Sequence, residues 1–403
     1  MKFIHSLRIL FLLPLHLVYL ISGFFSRNPK IWLFGCWEGR AFRGGNKFLF
    51  LHVRRNHPEI NSIWITKNNK LLRELQAKGI AACHAFSVKG MLAGARAKYI
   101  FVTHDVCDVN QYVSRNSIYV DLSHATCPIK KMGYANSYDP YYNPPTWLKK
   151  IYFFLINPYG YIRPDYAVTA SEHTSAITEQ VFQVGGERIV ATGLPKTDML
   201  FEESIDKNGG GLDGIVDTGK YDTIILFLPT HRNDPGFNLF HFGFSLEKTE
   251  EILTACNALL LFNPHPFDSA RMGNSENIDG AENCMLLDCK GDEMNLLLRK
   301  ADMLITDYSS LWADFLVFDK PILFAQFDHE GYLKEREIFG DYDNDYPGPK
   351  VQNWPDLLEE IKNILINGKD EFASHRNDVR RLIYPDADGH ASERIVSFVK
   401  TLQ

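Results

Sequence analysis

Ala301-Asp302-Met303-Leu304-Ile305-Thr306-Asp307-Tyr308-Ser309-Ser310-Leu311-Trp312-Ala313-Asp314-Phe315 passes from a short apolar run, through a hydroxyl-rich turn, into helical spacing. The apolar part is short enough for a strand buried on both faces, and Leu311, Trp312 and Phe315 recur as on an amphipathic helix. A strand running straight into a helix is the repeating unit of a parallel sheet, because the chain must cross over before the next parallel strand. The turn also carries chemistry. Thr306, Ser309 and Ser310 supply hydroxyls, and the helix start supplies unpaired backbone N–H groups, together a site for a phosphate. A serine acting only as a helix cap is the plain alternative.

Working outward, the same alternation extends through the chain. Strand-like runs at 223–228, 258–263, 284–287, 303–306 and 321–324 are separated by helical stretches. The first half repeats the pattern with runs at 31–35, 62–66, 80–84, 99–103, 117–122, 166–169 and 188–192, and helices at 47–55, 69–78 and 88–97. Between the halves lies Lys207-Asn208-Gly209-Gly210-Gly211-Leu212-Asp213-Gly214, a flexible linker by composition. The expected architecture is α/β: two Rossmann-like lobes with a cleft between them. Expected boundaries are an N-terminal segment at 1–29, an acceptor-side lobe at 30–206, a donor-binding lobe at 221–385 and a C-terminal helix at 386–403. Residues 130–164, rich in Tyr, Pro and Asn, break the alternation, and the aromatic stretch 147–156 reads as a connecting helix or a second membrane- or acceptor-contacting element.

Length and composition agree with this. A chain of 403 residues suits two domains, and 45% apolar with 23% charged residues is ordinary for a globular protein. The net charge of −6 gives no overall attraction to nucleic acid. Seven scattered cysteines without a CxxC argue against a disulfide framework or a zinc site and fit a reducing compartment. Residues 9–25 are strongly apolar but interrupted by Pro14 and His16, with Lys2, Arg8, Arg27 and Lys30 around them. At 17 residues the stretch is shorter than the ~20 of a spanning helix, so a helix lying in the membrane interface is expected, with a span or a buried first helix as alternatives.

Three further strand ends carry polar groups where ligands gather in parallel sheets. Leu228-Pro229-Thr230-His231-Arg232 places a cation pair after a strand, and Asn263-Pro264-His265-Pro266 holds a histidine stiffly between prolines. Asp121-Leu122-Ser123-His124-Ala125-Thr126, with Lys130 and Lys131 following, places His124 as a base for a hydroxyl. Each has a structural alternative as an ordinary loop residue. The glycine-rich turn at 35–45 lacks GxGxxG and the P-loop Lys-Ser/Thr, which lowers dinucleotide and ATPase readings.

Taken in order, these residues resemble the CDP-glycerol glycerophosphotransferase family, the teichoic acid primases and polymerases. The likeness rests on Thr306-Asp307-Tyr308-Ser309-Ser310, then Lys320-Pro321-Ile322-Leu323-Phe324, Asp328, Tyr332 and Arg336. It includes Thr230-His231-Arg232, His265-Pro266, Thr192-Gly193-Leu194-Pro195-Lys196-Thr197-Asp198 and Asp388-Gly389-His390-Ala391-Ser392-Glu393-Arg394. The resemblance implies a GT-B-type fold and transfer of glycerol phosphate, or a related polyol phosphate, from a CDP-linked donor. The acceptor would be a hydroxyl of a lipid-linked or polysaccharide chain at the cytoplasmic face of the membrane, with no cofactor and no metal. Carried over by position, His124 and His265 are the catalytic candidates. His231, Arg232, His265, Thr306, Asp307, Ser309, Ser310 and Arg336 would hold the donor, and Gly35, Asn46 and Lys130 would serve the acceptor. Two departures stand out: Ser123-His124-Ala125-Thr126 where the family shows Trp-His-Gly-Thr, and Asn263-Pro264 where a basic residue usually precedes His-Pro. A GT-B glycosyltransferase using a nucleotide sugar or CMP-sialic acid, and an inactive membrane-associated glycan-binding protein, are the alternative readings.

Overall fold

The computed structural model describes residues 14–123, 126–201, 218–232, 234, 236–264, 278, 280–289, 293–386 and 388–402. The chain forms two compact units: Met1–His124, Met132–Met199 and Asp388–Gln403 make the first, and Ala125–Lys131 with Leu200–Ala387 make the second.

Among its described residues the first unit is built on seven parallel strands: β1 (Asn28–Phe34), β2 (Asn61–Thr66), β3 (Ala82–His84), β4 (Ala97–Val102), β5 (Ile118–Asp121), β6 (Tyr166–Thr169) and β7 (Ile189–Ala191). Their order is β3-β2-β1-β4-β5-β6-β7. A near-continuous apolar run is what a strand covered on both faces requires, and Trp32, Leu33 and Phe34 in β1 are fully buried. Phe34 stacks on Phe101 of β4 at 4.8 Å, and Trp32 lies 5.1 Å from the same ring, which fixes β1 against β4 through large aromatic surfaces.

The exit of β1 shows why glycine stands at 35. A Cβ there would lie 2.1 Å from the Asp108 carbonyl oxygen. Asn46, fully buried, donates its side-chain amide to the Gly35 and Phe101 carbonyls and so ties the ends of β1 and β4 together. The final helix, Ala391–Thr401, belongs to this unit: the Ala391 and Ser392 backbone N–H groups donate to Asp198 at 2.9 and 2.8 Å.

Among its described residues the second unit holds six parallel strands: β8 (Thr223–Leu228), β9 (Ala258–Phe262), β10 (Cys284–Leu286), β11 (Met303–Thr306), β12 (Ile322–Ala325) and β13 (Lys350–Val351). They run in the order β10-β9-β8-β11-β12-β13. Phe227, Phe262 and the buried Trp354 close one face of the sheet, with Trp354 donating its indole N–H to the Leu239 carbonyl at 2.8 Å. Among the described strands, only β13 has no counterpart in the sequence reading. Two residues carry no periodicity, and the strand is announced by Gly348, where a Cβ would meet the Ile322 carbonyl oxygen at 2.0 Å.

The excursion Ala125–Lys131 is pinned within the second unit. Thr126 Oγ1 donates to Asp314 at 2.5 Å, Phe339 N to the Ile129 carbonyl at 2.7 Å, and Lys130 bridges Ile338 in antiparallel fashion.

Of the N-terminal apolar stretch, residues 14–22 are helical. Leu15, Val18 and Tyr19 pack on the first unit's core, and His16 Nδ1 lies 2.7 Å from the Tyr159 hydroxyl. One face is therefore seated on protein, while Leu17, Leu20, Ile21 and Phe24 are exposed. The helix Trp147–Ile156 buries none of its residues and exposes Trp147, Leu148, Ile151, Phe154 and Leu155. Among the described residues no helix is long and apolar enough to cross a membrane.

Candidate donor-phosphate site

Parallel strands end together on one edge, so the loops after β8, β11 and β12 are neighbours by construction. Register sets them closely: Thr306 of β11 pairs with Leu228 of β8 and Phe324 of β12.

At this edge sits a buried charge network. Asp307, 3% exposed, accepts hydrogen bonds from the Thr230 backbone N–H at 2.9 Å, the Thr230 hydroxyl and the Tyr308 N–H at 2.6 Å. Arg232, 5% exposed, donates from Nη2 to Asp307 at 2.8 Å and from Nε to Asp328 at 2.5 Å. Nη2 also reaches the other Asp328 oxygen at 2.7 Å, and Nη1 reaches the Thr230 carbonyl at 2.7 Å. At least four of the five N–H groups of the guanidinium are thus committed inside the protein. Burial alone would lower its pKa; Asp307 and Asp328 outweigh that and raise it, so the group stays charged. Its flat faces are covered by the rings of Tyr332 at 4.7 Å, Phe237 at 4.8 Å and Tyr308 at 5.3 Å.

These contacts revise what two of the expected donor ligands do. Thr306 is fully buried and gives its hydroxyl to the Leu228 carbonyl at 2.8 Å. Arg232 holds Asp307 and Asp328 in place rather than presenting its N–H groups to solvent. Asp307 in turn clamps the β8 loop and, through its own carbonyl, receives the Tyr342 hydroxyl at 2.8 Å. What the turn presents outward is Ser309 and Ser310, both half-buried. Ser309 Oγ accepts the Leu311 N–H at 3.3 Å, a weak cap, while Ser310 makes no cap bond.

Two more cations belong to this edge. Lys130, expected on the acceptor side, is packed in the second unit, where burial lowers its pKa, Asp307 opposes the shift, and Arg336 and Arg232 add to it. Arg336 ends the helix His329–Glu335 and is half-buried. His231 lies between Thr230 and Arg232, also half-buried. Gly35 and Asn46 sit in the first unit as the backbone lock of the β1 exit described above. His124 and His265, the two catalytic candidates, lie outside the described residues.

Sequence reasoning missed how much Asp328 and the rings contribute. Asp328 and Tyr332 follow β12, far along the chain from Arg232, and only the strand order brings them to it. The clue available was the cluster Asp328-His329-Glu330-Gly331-Tyr332 directly after a strand end.

A family model described as CDP-Glycerol:Poly(glycerophosphate) glycerophosphotransferase matches residues 17–401. The chain belongs to this family. Within it, the Teichoic acid glycerol-phosphate transferase of Staphylococcus aureus is 26% identical over 400 residues, covering 94% of this chain and 96% of that protein. The Teichoic acid ribitol-phosphate polymerase TarK of the same organism is 32% identical over 202 residues, 49% of this chain. The chain spans only 38% of TarK's length and 40% of that of the related polymerase TarL. The solved structure of the Wall Teichoic Acid Polymerase TagF superposes with a TM-score of 0.73 at 22% identity, covering 99% of this chain and 97% of TagF. A Staphylococcus aureus MnaA–UDP structure superposes less closely, at a TM-score of 0.57 and 15% identity, covering 93% and 97% of the two chains. These two likenesses are of fold, and both agree with the paired parallel sheets of a GT-B-like molecule.

Proposed function

We propose that this glycerophosphotransferase-family chain moves a polyol phosphate, glycerol phosphate or a relative such as ribitol phosphate, from a CDP-activated donor to an acceptor hydroxyl. The acceptor is a lipid-linked or polysaccharide chain of a cell-surface polymer of the teichoic acid or capsule kind. The observation that carries the reading is the family match along residues 17–401, joined to a strand edge whose buried Arg232–Asp307–Asp328 network fixes the Tyr308-Ser309-Ser310 turn.

The acceptor oxygen attacks the phosphorus bonded to the polyol, the bond from that phosphorus to the bridging pyrophosphate oxygen breaks, and CMP leaves. His124 takes the proton of the acceptor hydroxyl. His265, Ser309, Ser310, Lys130 and Arg336 hold the donor's phosphates as charge grows on the leaving CMP. His231 stands beside them. Arg232 and Asp307 act through others: they set the turn that carries the two serines. A hydrogen-bonding frame fixed before the substrate arrives needs no reorganisation during the reaction, which is why an internal network so close to the phosphates is useful.

The work takes place at the cytoplasmic face of the membrane, with the protein bound peripherally. Exposed Leu17, Leu20, Ile21 and Phe24, and the uncovered helix Trp147–Ile156 with Lys149 and Lys150, support an interfacial contact with anionic lipid.

The test is a donor panel. Purified protein and a lipid-linked acceptor are incubated with CDP-glycerol, CDP-ribitol, CMP-sialic acid and UDP- and GDP-sugars. Turnover confined to a CDP-polyol is expected. Turnover confined to a nucleotide sugar or to CMP-sialic acid would contradict the reading.

A further inference from the structure

The loop after β4 carries His104, which has no role in the transfer as described so far. Beneath it lies Asp108, fully buried. Asp108 accepts hydrogen bonds from the Thr103 and His104 backbone N–H groups at 2.9 and 3.1 Å, the Glu38 N–H at 2.7 Å and the Thr103 hydroxyl at 3.3 Å. The same Thr103 oxygen lies 3.0 Å from His104 Nδ1, whereas Nδ1 and Asp108 Oδ2 are 3.8 Å apart, too far for a direct hydrogen bond. Imidazole and carboxylate are joined through one hydroxyl.

That link fixes the tautomer. A carboxylate only accepts, so the single Thr103 hydroxyl proton goes to Asp108, and Thr103 Oγ1 in turn accepts from Nδ1–H. Neutral His104 therefore carries its hydrogen on Nδ1 and its basic lone pair on Nε2, the arrangement of an oriented base. Burial of the ring lowers its pKa, but Asp108, Asp121 and Asp105 outweigh this and hold it above the ordinary histidine value. The Tyr119 hydroxyl donates to Asp121 at 3.2 Å. From the turn after β1, the Trp37 ring stands 5.1 Å from the imidazole, with the Arg43 guanidinium over that indole at 3.9 Å. Trp37 and Glu38 both hold left-handed φ, 50° and 54°, a costly conformation for such side chains, and the Glu38 N–H bond to Asp108 secures it. The His104 side chain is 35% exposed, so its proton can exchange with water.

Topology brings this ring to the edge that carries His124. β4 and β5 pair in parallel with Val102 opposite Asp121, so the loops that follow leave the sheet side by side. His104 stands two residues beyond Val102, and His124 three beyond Asp121.

We propose that His104 is a second proton carrier of the transfer, taking over from His124 the proton that the acceptor hydroxyl loses. This rests on the transferase reading above. The O–H electron pair stays on the acceptor oxygen, which attacks phosphorus. The proton passes to His124, then to His104 Nε2, and leaves the imidazolium for water, while Asp108 offsets the positive charge through Thr103.

His104→Ala should lower kcat about a hundredfold, with KM for CDP-glycerol within about twofold, and imidazole in the buffer should recover part of the loss. Thr103→Val keeps the branched shape without the hydroxyl. It should lower kcat about tenfold and move the acidic limb of kcat/KM to lower pH, because Asp108 no longer supports the imidazolium. Thr103→Ser should return both to near the wild-type values. Asp121 titrates in the same range, so the limb is read in an Asp121→Asn background as well. Nitrogen NMR of the unaltered chain should find neutral His104 protonated on Nδ1. Unmoved kcat in His104→Ala overturns the proposal, as does an Nε2-protonated tautomer. So does a loss that imidazole does not relieve, joined to an unshifted limb in Thr103→Val, which marks a structural role. If His104→Ala melts below the wild type, the Thr103 pair and the tautomer decide. Absence of turnover by the unaltered chain with every CDP-polyol is a different result: it removes the transferase reading, and this role for His104 with it, whichever tautomer is found.

Discussion

Replacing Arg232 by Met tests whether the network at the β8, β11 and β12 ends is a rigid support. In the native chain the guanidinium is 5% exposed and lies 2.8 Å from an Asp307 oxygen and 2.5 Å from an Asp328 oxygen. At an effective dielectric of about 20, opposite charges some 4 Å apart attract by about 4 kcal/mol, so two carboxylates give about 8 kcal/mol before desolvation. Burying each ion costs several kcal/mol, which leaves the intact network near neutral but makes its one-sided removal expensive, about 3–5 kcal/mol. Arg232→Met keeps apolar bulk against Tyr308 and Tyr332 but leaves Asp307 without its cation. Urea unfolding should show a loss of that size. Hydrogen exchange should place it at β11 and the loop after β8, with β1–β7 unchanged. Replacing Asp307 and Asp328 by Asn in the same chain should recover much of the loss, because no unpaired buried charge is left. Arg232→Lys should not, since a single ammonium cannot reach both carboxylates and the Thr230 carbonyl together. A loss under 1 kcal/mol for Arg232→Met, or no recovery in the triple variant, would refute the reasoning.

Gly35→Ala should cost roughly 3 kcal/mol or more, read by urea denaturation of the first unit, because overpacking against rigid backbone cannot be relieved by a rotamer change; the Cβ would sit 2.1 Å from the Asp108 carbonyl oxygen. Asp121, fully buried at the end of β5, has its carboxyl pushed up to about 7, chiefly by burial. A carboxyl raised from about 3.9 in the unfolded chain to about 7 here binds more protons folded than unfolded between those values. Stability therefore falls as pH rises from about 4 to about 7 and is level above, by at most roughly 4 kcal/mol at ~1.4 kcal/mol per pH unit. Asp121→Asn should flatten that part of the pH–melting curve; parallel curves for the two proteins would count against it. Ile151→Glu with Phe154→Glu should weaken co-sedimentation with anionic phospholipid vesicles about tenfold or more, given ~1.5–3 kcal/mol per buried large apolar side chain. Unchanged binding would remove the helix Trp147–Ile156 from the membrane contact.

Twelve of the thirteen strands now seen have a counterpart in the sequence reading, because strands buried on both faces are written as unbroken apolar runs. Met303–Thr306 and Thr223–Leu228 begin and end where the residues alone place them. Lys350–Val351 was not legible, being set by its neighbour β12 and by Gly348 rather than by any pattern of its own. The site was legible as a place but not as a set of roles. Thr306 and Arg232 stand at strand ends where ligands gather, yet both spend their polar groups on the protein. Nothing in the local sequence says whether an arginine faces solvent or two carboxylates. That depends on Asp328, which lies 96 positions away and arrives only when β12 pairs with β11. Lys130 was read with the first half by its position in the chain, whereas the antiparallel bridge to Ile338 places it in the second unit.

The central claim is that a phosphate travels with the polyol, and the identity of the released nucleotide tests it most directly. The protein is incubated with CDP-glycerol and a lipid-linked acceptor, and phosphorus NMR follows the nucleotide. Attack at the phosphorus next to the polyol predicts CMP in a one-to-one ratio with new phosphodiester on the acceptor. Release of CDP, with glycerol joined to the acceptor through an ether oxygen, would contradict the account.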